Sequence, residues 1–256
     1  PDDLFASRPV IETPLDEVFD ARMRLVGYTL PSRDLVAGSV IYATLYWQPI
    51  EPAWEDYEVF AQLWDDAGNA IARAHDFPYS GMYRSRIWRT DEIVPTHHWL
   101  ALPHTLPMGR YTLVTGLFRQ LANERVPVEG EASNSAERIV RQPVLRVAPP
   151  PSVDLPAPPT PIVFGGIEVV GLDVRMGDTS VSEDELRTQA GSTITLNVVW
   201  EAKEALAHDY NVFVHLSAAP DTPPAAQTDA RIGGGLPTSL WRTGERFGDI
   251  LQLTLP

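Results

Sequence analysis

Two loops of this chain carry the same side chains at an offset of 153 residues: Asp76, Trp88, Arg89 and Glu92 in one, Asp229, Trp241, Arg242 and Glu245 in the other. Carboxylates grouped in this way suit two roles. Ca²⁺ takes carboxylate and carbonyl oxygens, so the Asp and Glu of one loop would be its ligands. In the other role the Trp caps one end of a core, Gly81 or Gly234 makes a turn, and the carboxylates pair with Arg or with loop amides. A set that returns intact in two copies of one unit is what scaffolding produces. The structural role is therefore the expectation for both loops, with no metal and no cofactor.

A second set is aromatic. Tyr42, Tyr46, Phe60 and Trp64, with Gln62 and Glu58 beside them, alternate along two stretches of sequence and would lie on an outward face. Aromatic rings on a flat surface suit the apolar face of a sugar ring, with Gln62 and Glu58 reaching its hydroxyls. The same rings also suit contact with another domain or chain, the commoner use of an exposed apolar patch. Nothing comparable points to catalysis: there is no Gly-x-Ser-x-Gly elbow, no His-Glu-x-x-His and no phosphate-cradling glycine loop. His97, His98 and His104, beside Trp99 and Pro103, read as ordinary loop residues, and the chain is expected not to be an enzyme.

The elements that position these residues are written twice. Ala37–Pro103 lies without a gap on Ala190–Pro256, with identities clustered at Ala37-Gly38-Ser39, at Tyr57, Val59 and Phe60, and at Trp88-Arg89-Thr90. A repeat of this size means two structural units, each with its own core. Ile41, Ala43, Leu45 and Trp47 align with Ile194, Leu196, Val198 and Trp200, and the residues between them are mixed, which is the period of a half-buried strand. The same comparison sends Tyr57, Val59, Ala61 and Leu63 inward with Tyr210, Val212, Val214 and Leu216. Asp65-Asp66-Ala67-Gly68-Asn69 supplies a tight hairpin turn. Tyr79 to Asp91 reads as a long loop and Trp99 to Leu102 as a short strand. Gly109-Arg110-Tyr111 opens a later strand in the pattern of a tyrosine corner, and Ile139 to Val147 reads as the last strand.

Short strands without helical period predict an all-β chain of two tandem immunoglobulin-like antiparallel β-sandwiches. Residues 1–18 are read as a linker or lead-in segment, 19–148 as the first sandwich, 149–161 as a proline-rich linker and 162–256 as the second sandwich. Seven of the thirteen residues from Pro149 to Pro161 are proline, a stiff extended spacer. The second sandwich stops at Pro256, the counterpart of Pro103, and is expected to be truncated, cut before its last two strands, with an exposed edge.

Lys and Arg number 20 against 34 Asp and Glu, a formal charge of −14 that repels a phosphate backbone, so nucleic acid is not an expected partner. Without cysteine there is no disulfide framework, no thiolate nucleophile and no Cys-ligated zinc. No run of 18 apolar residues and no signal-peptide pattern is present, while the first residue is Pro1, so the chain reads as part of a longer protein.

The pattern Tyr210-Asn211-Val212-Phe213-Val214-His215-Leu216, then Ala226-Gln227-Thr228-Asp229, then Pro237-Thr238-Ser239-x-Trp241-x-x-Gly244-Glu245 and Leu253-x-Leu255-Pro256, resembles the soluble tail domains that follow the membrane-spanning part of bacterial glycosyltransferase-like proteins, of the protein-mannosyltransferase-like kind. The first copy departs from it at Gln62, Arg84-Ser85 and Asp91. The resemblance implies an extracytoplasmic location, periplasmic or at the cell surface, in a membrane-attached parent whose transferase chemistry lies elsewhere. It implies no ligand. The expectation is a binding or spacer module, with a glycan or another domain of the parent as partner. The alternative is an accessory domain pair of a carbohydrate-active enzyme.

Overall fold

Period-two alternation favours strands along nearly the whole chain, and the computed structural model is all-β: among the described residues every pairing of two strands is antiparallel, one isolated parallel bridge joins Asp34 to Arg146, and there are three 3-10 turns and no α-helix. The structure describes residues 9–141, 145–147, 154–177, 179–180, 189–219 and 222–256. Two units divide the chain, Pro1–Val147 and Ala148–Pro256.

Unit 1 begins with β1 (Thr13–Phe19), β2 (Met23–Thr29), β3 (Val40–Pro49), β4 (Glu58–Asp65), β5 (Ala70–Asp76), β6 (Val94–Ala101) and β7 (Gly109–Arg119). Short strands follow: β8 (Glu124–Arg125), β9 (Val128–Glu129), β10 (Ser133–Asn134), β11 (Ile139–Arg141) and β12 (Leu145–Val147). One sheet has the order β6-β3-β2-β1-β9, and the other β10-β11-β7-β4-β5, with β8 and β12 also on β7. Their inner faces share a single core, to which the first sheet brings Leu25, Leu45, Trp47 and Leu100 and the second Val59, Leu63, Leu113 and Leu117. All eight residues expected to point inward from β3 and from Tyr57 to Leu63 are buried. The Asp65 turn closes as expected: Asn69 N–H donates to Asp65 Oδ1 at 2.8 Å, and Gly68 takes a positive φ of 84°. Tyr111 donates its hydroxyl to Pro107 O at 2.7 Å, the bond that a tyrosine corner makes.

Three expectations are corrected here. The supposed lead-in is a strand from Thr13 onward, paired with β2 through a bulge between Pro14 and Glu17; Asp16 and Glu17 masked its alternation. The segment around His97 is not a loop, because β6 runs from Val94 and pairs with β3 over eight residues. Its inward row is Val94, Thr96, His98 and Leu100, and the two polar members hid the period from a hydrophobicity reading. The predicted proline linker lies partly outside the described residues; its later part is docked rather than free, with Leu172 N–H donating to Pro156 O at 2.8 Å and Leu155 against Gly171. The last strand, read as Ile139 to Val147, is described as β11 and β12, and residues 142–144 lie outside the described set.

Unit 2 contains β13 (Ile162–Phe164), β14 (Ile167–Met176), β15 (Thr179–Ser180), β16 (Thr193–Ala202), β17 (Asn211–Leu216), β18 (Ala226–Arg231) and β19 (Arg246–Thr254). One sheet has the order β13-β14-β16-β19, with β15 on β14, and β17 pairs with β18 in a second. At the repeat offset β16, β17, β18 and β19 answer β3, β4, β5 and β6. Val198, Trp200, Trp241, Phe247 and Leu251 form the core. Val212 and Val214 pack against it as expected, whereas Tyr210 and Leu216, also expected inward, are exposed.

Candidate functional site

The aromatic strip expected from Tyr42, Tyr46, Phe60, Gln62 and Trp64 is not one surface. β3 belongs to one sheet and β4 to the other, so the outward residues of the two strands lie on opposite faces of the unit. Alternation distinguishes core from solvent, but it does not say which sheet a strand joins, and here the chain crosses from sheet to sheet between β3 and β4.

On the β4 face the rings are already engaged. Phe60 is buried with Val114 and Ile139, and Trp64 and Phe118 pack around them. Gln62 accepts the Trp64 indole N–H at 2.8 Å, which occupies the amide oxygen expected for a sugar hydroxyl. The guanidinium groups of Arg125 and Arg141 sit 5.9 and 5.5 Å from the Trp64 ring. This face is a small second core beneath β7 and β11, closed by cation–π contacts.

The β3 face keeps an open aromatic surface, though not with the residues expected. Tyr46 is buried, its hydroxyl 3.3 Å from Thr29 Oγ1. Tyr42 remains, 37% exposed, and the β3–β6 register sets it directly opposite Trp99, which is 62% exposed. Their ring centroids are 5.3 Å apart and tilted by 58°. On its other side Tyr42 stacks on His97 at 5.6 Å with planes 14° apart. His97 Nδ1 lies 3.1 Å from Thr44 Oγ1, directly across the ladder, and burial lowers the His97 pKa from its ordinary value. Tyr79 completes the group, edge-on to His97 at 6.5 Å. It sits in the 3-10 turn Pro78–Gly81, where Tyr79 and Ser80 both hold left-handed φ values of 53° and 52°. Such values are costly for residues with a Cβ and persist where the surroundings hold them.

Trp99 and His97 were missed because β6 was read to begin at Trp99. The signal that finds them is the second copy: Phe247, Asp249, Leu251 and Leu253 stand where Val94, Thr96, His98 and Leu100 do, and the alternation is clearer there. The platform belongs to unit 1 alone, since Thr195 and Gln252 occupy the positions of Tyr42 and Trp99.

The repeated loops have the geometry of scaffolding. Trp88 and Trp241 are buried, and each donates its indole N–H to a carbonyl five residues back, Tyr83 O at 3.0 Å and Leu236 O at 3.2 Å. Glu92 accepts the Arg89 amide at 3.2 Å and the Tyr83 hydroxyl at 2.6 Å, and Glu245 accepts the Arg242 amide at 2.8 Å. The Arg89 guanidinium is bidentate on Asp91. Asp76 and Asp229 are exposed, and Asp76 accepts the Phe77 amide. Among the described residues no group of three His, Asp or Glu is close enough to share a metal ion.

The repeat also carries a hydrogen-bond lattice that the sequence reading passed over. Tyr57 N–H donates to Ser85 Oγ and Tyr210 N–H to Thr238 Oγ1, at 2.8 and 2.9 Å. Asp56 Oδ1 accepts the Arg86 amide and Asp209 Oδ1 the Ser239 amide. The 153-residue offset puts a hydroxyl on a hydroxyl and Asp on Asp, a usable signal. No known family model matches this chain, and no curated protein matches it.

Proposed function

We propose that this chain is a non-catalytic binding module: two immunoglobulin-like units of a larger, membrane-attached bacterial envelope protein, held outside the cytoplasm, the first of which docks a partner domain through the Tyr42–Trp99 platform. One observation carries the reading. A Trp and a Tyr stand exposed side by side on a flat sheet face, where unit 2 has Thr and Gln. Desolvating such rings is a main source of interface affinity, and Trp and Tyr are the residues most often found at binding hot spots. The envelope location rests on the sequence resemblance alone.

A glycan is the second reading, favoured by the tilt between the two rings and the polar Thr44–His97 pair beside them. One experiment separates the two. A photo-crosslinking side chain at position 99, in the native envelope, is expected to give one discrete protein adduct, or an intramolecular crosslink to another domain of the parent, that disappears with Tyr42→Ala. A glycan-array signal lost in both Trp99→Ala and Tyr42→Ala, with unchanged melting and no protein adduct, replaces docking by sugar binding. Silence in both assays refutes the platform.

A further inference from the structure

On the outer face of the β4 sheet of unit 1, beside the small core around Phe60, an open pocket of about 530 Å³ is lined by Gln62, Trp64, Asn69, Arg73 and Arg125 and by the turn at Gly68. Register builds it. Arg73 of β5 stands directly opposite Gln62 of β4, and Arg125 reaches in from β8 over the Phe60 and Trp64 rings, 5.4 and 5.9 Å from their centroids. Among the described residues no carboxylate belongs to the lining, in a chain whose formal charge is −14. The neighbouring arginines are neutralised, Arg138 by Glu124 at 2.9 Å and Arg141 by Glu137 at 2.7 Å. Arg73 and Arg125 are not: among the described residues the exposed Arg73 side chain has no hydrogen-bond partner, and the Arg125 guanidinium donates to an uncharged one, the Glu137 carbonyl, at 3.1 Å.

We propose that this pocket binds an oxyanion group, the carboxylate or phosphate of a small ligand, between Arg73 and Arg125. A guanidinium offers its N–H groups as a planar fork that matches two oxygens of such a group, and the charge strengthens each bond. Stacking over Phe60 and Trp64 holds the Arg125 fork in place before any ligand arrives. Gln62 contributes a donor as well: its Oε1 accepts the Trp64 indole N–H at 2.8 Å, so its NH₂ is what remains to offer. In the adjoining turn both oxygens of Asp65 are taken by Asn69, at 2.8 and 3.0 Å. A wall of donors selects an anion over a neutral polyol, which needs acceptors too. General charge attraction cannot produce the same result, because the chain as a whole repels anions and only a local pair of unneutralised arginines holds one. Unit 2 lacks the pair: Gln227 stands opposite His215, the counterpart of Gln62, and Ser217 replaces Trp64. The site lies on the face of unit 1 opposite the Tyr42–Trp99 platform and is independent of it.

The test titrates the whole chain at low ionic strength with sodium glucuronate and with inorganic phosphate, glucose serving as the neutral control, and follows the backbone amide and arginine Nε–H resonances. Saturable shifts centred on Arg73, Arg125 and Gln62 are expected with at least one of the two anions, and the anion that gives them tells carboxylate from phosphate. Arg73→Gln, at an exposed position without a side-chain bond to lose, should weaken binding about tenfold, whereas Arg73→Lys keeps the charge without the fork and should fall between. Arg33→Gln removes an exposed arginine from the turn after β2 and should change nothing. Absence of saturable shifts with both anions overturns the proposal. So does an equal response to glucose, or an equal loss in Arg33→Gln, which would mean diffuse charge instead of a site.

Discussion

Thr96 and His98 sit side by side on the inner face of β6, where a sequence reading expects aliphatic side chains. The Thr96 hydroxyl takes the Trp47 indole N–H at 3.1 Å and lies 3.0 Å from His98 Nε2, so three polar groups satisfy one another inside the core. Thr96→Val keeps the shape and removes the shared partner, and is expected to cost about 2 kcal/mol in urea unfolding, the penalty for buried donors left unmet. Unit 2 solves the same problem with Asp249, which accepts the Trp200 indole N–H at 2.7 Å and the amides of Gly233 and Gly234. Burial pushes the His98 pKa from 6.5 down to about 4, the charge of His97 adding to the fall and Asp76 opposing it. The folded imidazole therefore stays neutral while the unfolded one protonates. Stability contributed in this way is complete above pH 6.5 and declines as the pH falls towards 4, by about 3 kcal/mol across the window. His98→Gln should flatten that limb of the stability–pH curve; an unchanged slope would show that other groups produce it.

At the scale of the element, register decides what each strand presents. β3 and β6 are aligned so that Tyr42 meets Trp99, and β4 and β7 so that Phe60 meets Gly116. Gly116→Ala drives a methyl into the Phe60 ring and should destabilise unit 1 by about 2 kcal/mol, as overpacking does, with partial recovery in the double variant with Phe60→Leu. Trp99→Ala, by contrast, removes a side chain that is mostly in water and should leave stability within about 0.5 kcal/mol while removing the platform. In the repeated loops the carboxylates cap turns. Glu245→Ala should cost about 1 kcal/mol by freeing the Arg242 amide. Ca²⁺ should then leave the melting temperature of the native chain where it was, and a rise of several degrees would return Asp76 and Glu92 to a metal role. Burial and then the bond to Glu92 raise the Tyr83 pKa, so the tyrosinate absorbance of Tyr83 should appear at lower pH in Glu92→Ala.

The whole molecule is two units, each with its own core. Unit 1 closes both edges of β4, whereas unit 2 leaves one edge of β17 without a neighbour among the described residues. Calorimetry is expected to resolve two transitions, unit 2 melting first; one transition with equal calorimetric and van't Hoff enthalpies would mean that the units unfold as one. The sequence alone determined the all-β class, the repeat, the inner faces of β3 and β4, the hairpin at Asp65 and the tyrosine-corner pattern at Tyr111, because each depends on period, turn chemistry or self-comparison, which can be read along the chain without its fold. Tertiary structure alone decided that β3 and β4 belong to different sheets, that Phe60 and Tyr46 are buried, and that Trp99 stands exposed beside Tyr42. A residue's alternation records only that it points away from the nearest core. What lies on its other side depends on strands tens of residues distant, and no local pattern encodes whether they are there.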